Sequence, residues 1–128
     1  MAAVGGHPHT LPLLAVCRGP PSCALLMPLA AASLGGRLGD ERLRPQWGLL
    51  LDIAAGVASA LRHAHSLSPP VVHRDLKPEN VLLWPDGHVA VADWGLAKSK
   101  RHTFLTHEGG APGTPSYTAP EASLSWPR

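Results

Sequence analysis

The chain has 128 residues, enough for one ordinary domain, and 45% of them are apolar, enough to build a core. The net charge of +2 is small and no basic block has the density of a nucleic-acid-binding surface, so composition excludes a strongly basic nucleic-acid binder. The densest basic cluster, Lys98, Lys100 and Arg101, is interpreted as part of a solvated loop.

The two cysteines, Cys17 and Cys23, are too few for a disulfide framework or a tetrahedral metal site. Reduced thiols are the usual state inside cells, so we expect an intracellular, cytoplasmic protein. Prolines interrupt every apolar stretch near the N-terminus, and we therefore expect neither a signal peptide nor a membrane-spanning segment in this chain.

In chain order, the first predicted element is a β-hairpin. Two short apolar runs, residues 10–17 and 23–29, flank the turn-rich sequence RGPPS, a pattern typical of two strands joined by a turn. Residues 30–40 are small and glycine-rich, which predicts a connector after the hairpin.

A helix is predicted over residues 46–66, with Pro45 just before it and Pro69 just after it, where proline is tolerated. Gly56 weakens this prediction slightly. An amphipathic helix must bury its apolar stripe, so we expect one face to pack against the hairpin that follows. That face has a period of 3.6 residues and consists of Leu50, Ile53, Ala54, Val57, Leu61 and Ala64.

A second hairpin is predicted where the apolar runs VLLW and HVAVAD flank the turn Pro85-Asp86-Gly87. Residues 93–121 then show no period and many small or polar side chains, which predicts one long surface loop. A loop of that length in a compact domain is usually functional.

Two H-x-H pairs, His7 with His9 and His63 with His65, raise the hypothesis of a metal site. Residues i and i+2 of a helix point to different sides, and no set of Cys, Asp or Glu completes either pair. The sequence therefore does not favour zinc.

The motifs with the clearest chemistry lie between residues 73 and 121. Residues 73–80 read HRDLKPEN, and DWG follows at residues 93–95, eighteen positions after Asp75. GTP at residues 113–115 and APE at residues 119–121 complete the series. In this order and spacing they resemble the catalytic loop, the magnesium-binding motif with Trp in place of Phe, and the end of the activation segment of the protein kinase family.

The resemblance implies an α+β fold that is a partial protein kinase domain. Residues 1–29 would form the end of the N-lobe sheet and the hinge, and residues 30–128 the helical C-lobe through the activation segment. The implied reaction is ATP-dependent phosphoryl transfer to Ser or Thr hydroxyls of a protein substrate. Lys77 marks serine/threonine specificity in the family, and LLAVC with HSLSPPVVHRDLKPEN favours its tyrosine kinase-like group.

The family pattern assigns the catalytic roles to Asp75, Lys77 and Thr114. Asp75 would orient the acceptor hydroxyl and take its proton, while the Lys77 ammonium would reach the transferring phosphoryl group. Thr114 would bond both of them. Asn80 and Asp93 would supply the hard oxygen ligands that Mg²⁺ prefers.

For the nucleotide, residues 7–11 resemble the loop after helix C, which places Leu26 at the gatekeeper position. The adenine would then bond the Met27 carbonyl and the Leu29 N–H, and Leu82 would line the floor. Pro28 lacks an N–H, but no donor is required there. Core packing is the alternative interpretation of the three leucines.

Regulation is predicted at Arg74, which in the family holds a phosphate on the activation segment. Thr103 and Thr106 are the candidate acceptors of that phosphate, which would add about −1.5 to −2 charge. His73 is interpreted as ordering the loop rather than as an acid or base.

The 128 residues contain neither a Gly-rich loop nor the strand-borne lysine and helix-C glutamate of the family pattern. We therefore expect this fragment alone to bind nucleotide weakly and to transfer phosphate negligibly. Two functions stay open: a serine/threonine kinase represented by part of its domain, or a non-catalytic kinase-like module that binds partners. The intact Asp75, Lys77, Asn80 and Asp93 favour the enzyme.

Overall fold

A computed structural model of the chain describes residues 4–19, 22–39, 46–94, 98–99 and 114–119. The strands are β1 (Ala15–Gly19), β2 (Ser22–Leu26), β3 (Ala32–Ser33), β4 (Val71–Val72), β5 (Val81–Leu83), β6 (Val89–Val91) and β7 (Lys98–Ser99). The helices are α1 (Leu34–Arg37) and α2 (Trp47–Ser66), with 3-10 turns at Pro78–Asn80 and Pro115–Tyr117. None of the helices in these ranges is long and apolar enough to cross a membrane.

The predicted long helix is confirmed as α2, but its buried stripe differs from the predicted face. Ile53 and Ala64 are buried as expected, whereas Leu50 and Ala54 are exposed, so that part of the prediction is wrong. The buried stripe runs instead through Ile53, Gly56, Ala60 and Ala64. Small side chains let the helix approach the strands closely. Which residues are buried therefore depends on the size of the side chain as well as on its apolarity.

Gly56 illustrates this close approach. A Cβ atom at this position would lie 3.1 Å from Nδ1 of His9 and 3.3 Å from Cβ of Val89. A side chain here would therefore force one of these two neighbours to move. The glycine that weakened the helix prediction is needed for packing.

The second predicted hairpin is confirmed. Strands β5 and β6 pair antiparallel with Leu82 opposite Ala90, and the turn between them contains Gly87 at a φ of +85°. This positive φ is readily adopted by glycine, which explains the Pro-Asp-Gly sequence of the turn.

Helix α2 packs on β6 as predicted, and the core between them and the catalytic loop contains Val4, Ile53, Ala60, Ala64, Val71, Val81, Val89, Val91 and Trp94.

The first predicted hairpin exists with shifted bounds, since β1 and β2 pair with Ala15 opposite Leu26. The connector prediction for residues 30–40 is partly wrong. Strand β3 pairs there with β5, with Ser33 opposite Leu82. Ser33 also accepts a hydrogen bond from the backbone N–H of Gly36 at 3.1 Å and so caps α1.

The prediction of a single loop over residues 93–121 also changes. Strand β7 pairs with β4, with Lys98 opposite Val72, and Pro115–Tyr117 form a 3-10 turn. The rest of that segment, apart from residues 93, 94, 114, 118 and 119, lies outside the described residues. Both pieces bring the segment back toward the catalytic loop.

Candidate active site

The predicted catalytic loop runs from His73 to Asn80, between β4 and β5. Pro78 starts the 3-10 turn, a position where its fixed φ suits the turn and its missing N–H is not needed. Arg74 has a φ of +73°, a conformation that costs a non-glycine residue about 1–2 kcal/mol. Such strain persists where the surrounding contacts dictate the backbone, as they do here.

His73 supplies much of that surrounding structure. Its Nδ1 accepts the backbone N–H of Asp75 at 3.3 Å, and its Nε2 lies 2.8 Å from the carbonyl oxygen of Ala92. Because Nδ1 is an acceptor, the ring must carry its proton on Nε2, which donates to Ala92. A buried histidine thus links the catalytic loop to the residue that follows β6, in accord with the loop-ordering role predicted for it.

Asp75 is buried and bonded through both carboxylate oxygens. Its Oδ1 accepts the backbone N–H of Thr114 at 2.8 Å and the Thr114 hydroxyl at 2.9 Å. Its Oδ2 lies 3.2 Å from Nζ of Lys77, which also donates to the Thr114 hydroxyl at 2.8 Å. The structure therefore brings together all three residues predicted to be catalytic.

The electrostatics of Asp75 reflect two opposing causes. Burial raises the pKa of the carboxyl group. The hydrogen bonds from Thr114 and Lys77, together with the Lys77 charge, lower it by more, so the pKa lies below its usual value. At neutral pH the group is a carboxylate. Such a group accepts a hydrogen bond well and is a weak base.

Asn80 and Asp93 are held near each other by the backbone. The Asn80 carbonyl accepts the N–H of Ala92 at 2.8 Å, next to Asp93 in the chain. The Asn80 amide nitrogen donates to the carbonyl of Asp75 at 2.9 Å. The side-chain oxygen of Asn80 therefore does not face that carbonyl. Asp93 is exposed and has a φ of +55°. A carboxylate and an amide oxygen fit Mg²⁺, which takes few protein ligands.

Trp94, which occupies the usual Phe position of the magnesium motif, is buried rather than exposed. Its Nε1–H donates to the carbonyl of Val91 at 3.0 Å, and its ring lies 4.6 Å from that of His73. The indole hydrogen bond is one that phenylalanine cannot make, so it adds to the packing that holds residues 91–94.

The residues predicted to bind adenine line a cleft of roughly 500 Å³. Leu29 is 93% exposed and Met27 36%, while Leu82 on β5 is half-buried. Among the described residues, neither the Met27 carbonyl nor the Leu29 N–H has a protein partner. The complete lining is Leu11, Leu25, Met27, Pro28, Leu29, Ala30, Ala32, Ser33 and Leu82.

The sequence interpretation missed Trp84. Its Nε1–H donates to the carbonyl of Leu29 at 3.0 Å and so joins the predicted hinge to the β5–β6 turn. A tryptophan beside a Pro-Asp-Gly turn was the available indication, because an indole N–H near a surface usually finds a partner.

The regulatory prediction is only partly placed by the structure. Arg74 is half-buried in the catalytic loop. Its predicted partners, Thr103 and Thr106, lie outside the described residues.

Among the described residues, no group of three or more His, Cys, Asp or Glu side chains could hold a metal ion.

Comparison with known proteins agrees with this geometry. The family model for the protein kinase domain matches residues 1–125. The chain therefore belongs to the protein kinase domain family, as the motifs predicted.

Among curated proteins, the chain is 37% identical over 116 residues to the probable serine/threonine-protein kinase drkD of Dictyostelium discoideum, covering 90% of this chain and 9% of that protein. It is 35% identical over 122 residues to drkA of the same organism, covering 93% and 18%. It is 43% identical over 82 residues to the serine/threonine-protein kinase CTR1 of Arabidopsis thaliana, covering 64% and 9%. The chain thus spans less than a fifth of the length of these relatives.

Proposed function

We propose that this chain provides the catalytic and metal-binding part of a serine/threonine protein kinase that transfers the γ-phosphoryl group of ATP to a protein hydroxyl. The observation that carries the proposal is the bonding of Asp75 to both Thr114 and Lys77, which leaves an ionised carboxylate and a cation side by side. The relatives named as serine/threonine kinases support the same reaction class.

In the proposed reaction, the hydroxyl oxygen of the substrate forms a bond to the γ-phosphorus. The bond from that phosphorus to the β–γ bridging oxygen breaks, and ADP leaves with the electron pair. Asp75 orients the hydroxyl and accepts its proton late, when bonding to phosphorus has made that proton acidic. A carboxylate with a lowered pKa suits this role, because it stays ionised and accepts a hydrogen bond throughout.

Lys77 places its ammonium beside Asp75, where it can neutralise charge on the transferring group. Mg²⁺, when bound by Asn80 and Asp93, would neutralise charge on the phosphate oxygens. The nucleotide base would occupy the cleft between Leu29 and Leu82.

The test is a kinase assay on a Ser/Thr peptide library with the full-length polypeptide. Asp75→Asn keeps the size of the side chain and one acceptor oxygen for Thr114, but it removes the proton acceptor and the negative charge beside Lys77, so turnover should fall by roughly 10²–10⁴-fold. Nucleotide affinity should change little. Asp93→Asn should weaken magnesium-dependent nucleotide binding as well, since it removes a charged ligand.

The matched control is Asp86→Asn, which changes an exposed carboxylate in the β5–β6 turn whose oxygen bonds the His88 N–H. Asparagine can accept the same bond, so this variant should retain activity. Absence of transfer by the full-length wild type, together with indifference to Asp75→Asn in cells, would overturn the proposal in favour of a non-catalytic kinase-like module.

A further inference from the structure

Four histidines form a continuous row of ring contacts. His63 stacks on His7 with ring centroids 4.9 Å apart, and His9 stacks on His88 at 5.6 Å. His7 and His9 join the two pairs at 5.7 Å. We call His63, His7, His9 and His88 the histidine row.

Hydrogen bonds assign ring protons within the row. Nδ1 of His7 accepts the backbone N–H of His9 at 3.2 Å, so the ring proton lies on Nε2, which faces the Ser59 hydroxyl at 3.2 Å. Nδ1 of His9 lies 2.7 Å from the Val89 carbonyl and must donate to it. A second proton on His7 would place two donors against each other at Nδ1.

The surroundings disfavour that second proton. Burial lowers the pKa of His7, and the neighbouring His63, His9 and Arg62 lower it further. No carboxylate acts on it in the described structure. Nε2 of His63 is buried without a hydrogen-bond partner among the described residues.

The other charged group near the row is on the β5–β6 turn. Asp86 accepts the backbone N–H of His88 at 2.9 Å and is exposed. Through this bond Asp86 lies next to the stacked pair of His9 and His88 at one end of the row. Helix α2 contributes Arg62 and His63 at the other end, so a second proton on His7 would lie close to the Arg62 cation.

The row joins three elements. The backbone N–H of Val91 donates to the His9 carbonyl at 2.8 Å, and that of Leu11 donates to the Val91 carbonyl at 2.9 Å, so residues 9–11 extend the β5–β6 sheet. The His9 ring lies over Gly56 of α2. Loss of these contacts would free residues 7–11 from both the helix and β6.

We propose that the histidine row is a pH-sensitive latch that holds residues 7–11 on α2 and β6 when neutral and releases them when it is protonated. This inference does not depend on phosphoryl transfer. The sign follows from linkage: because the folded state lowers the affinity of His7 for protons, unfolding takes up a proton. The stabilisation of the folded state is complete at a pH above the histidine pKa of the unfolded chain, about 6.5. It is lost as the pH falls from there through the folded pKa of His7.

The test is hydrogen exchange of the whole chain between pH 7.5 and 5.5, corrected for the intrinsic pH dependence of exchange. Protection of the Val91 and Leu11 amides should fall, by up to about tenfold per pH unit for each proton taken up. Amides in the middle of α2, such as that of Ala60, should lose much less. Equal loss at Ala60, or constant protection at Val91, would overturn the proposal.

Variants separate the row from other histidines. His63→Phe keeps a ring against His7 without a titrating group, and His7→Asn keeps an acceptor for the His9 N–H, so both should flatten the pH dependence. The control is His65→Gln, which changes an exposed histidine of the same helix and should leave the dependence intact. If a variant fails to fold, the titration of His7 by NMR in the wild type decides: a midpoint at or above about 6.5 contradicts the latch.

Discussion

The two hairpins of this molecule have the same strand pairing and opposite environments. Every residue of β1 is exposed, whereas all three residues of β6 are buried, and Val89 and Val91 pack in the core with residues of α2. The proposed catalytic and metal-binding side chains are tied to the buried hairpin through His73 and Asn80. The predicted adenine contacts, Met27 and Leu29, follow the exposed hairpin.

The difference teaches that the two halves of the candidate site depend on different forces. Apolar burial and a network of hydrogen bonds position the carboxylate, while main-chain pairing and the Trp84 indole contact position the hinge in the described part of the chain. We therefore expect the catalytic half to respond strongly to core substitutions and the nucleotide-base half to respond weakly to changes on its own surface.

The largest expected effect is on the buried side of this comparison. Ile53→Ala removes a side chain packed with Val81 and Val89, and it should lower the free energy of unfolding by about 2–5 kcal/mol. Leu14→Ala, a control that deletes a similar volume from a 59% exposed side chain, should change it by less than about 0.5 kcal/mol. Urea unfolding measures both. Similar losses in the two variants would erase the distinction between the hairpins.

The next effect concerns the histidine that joins the catalytic loop to β6. His73→Phe keeps a ring beside Trp94 but leaves the Asp75 N–H and the Ala92 carbonyl without their partner. It should cost about 1–3 kcal/mol, the usual penalty for a buried polar group left unpaired. His65→Phe, at an exposed position, is the control. Unchanged stability of the His73 variant would show that the loop is held by other contacts.

A pH experiment examines the bonding of Asp75. Thr114→Ala removes a hydroxyl that lowers the pKa of Asp75, so that pKa should rise and the acid limb of the kinase pH–rate profile should move to higher pH. Thr114→Ser retains the hydroxyl and should resemble the wild type. An acid limb at the same pH in the alanine variant would mean that Thr114 does not control this carboxylate.

The same depressed pKa has a consequence for stability. A carboxyl group whose pKa is lower in the folded state stabilises the fold fully above the unfolded value of about 3.9, and the contribution is lost as the pH falls through the folded pKa. Thr114→Ala should therefore lower the free energy of unfolding at neutral pH. At a pH below the folded pKa of Asp75, the free energy of unfolding should be nearly the same in the variant and the wild type.

The smallest effect is expected at the contact that joins the two hairpins. Trp84→Phe removes the hydrogen bond to the Leu29 carbonyl, worth about 0.5–1.5 kcal/mol, and so should weaken nucleotide binding by roughly tenfold at most. Trp47→Phe changes a tryptophan that is 73% exposed on α2 and serves as the control. Nucleotide titration by calorimetry compares them. Equal affinities would show that the hinge needs no support from Trp84.

Local patterns in the sequence determined the long helix, the second hairpin and the family. These features depend on periodicity, on turn chemistry at Pro85-Asp86-Gly87, and on motif spacing, all of which are written in neighbouring residues. The set of residues predicted to be catalytic followed from the motifs alone. Their roles, and the serine/threonine subgroup, stay predictions that the proposed assays test.

Tertiary structure alone decided which side of α2 is buried and how the site is held together. Gly56 and Ala60 replace Leu50 and Ala54 in the buried stripe because the space between helix and strands is too narrow for large side chains. The bonds from Thr114 to Asp75 and from His73 to Ala92 join residues 39 and 19 positions apart. No local pattern encodes such distances, since they depend on how the chain folds back on itself, and the histidine row became visible only when that folding brought its four rings together.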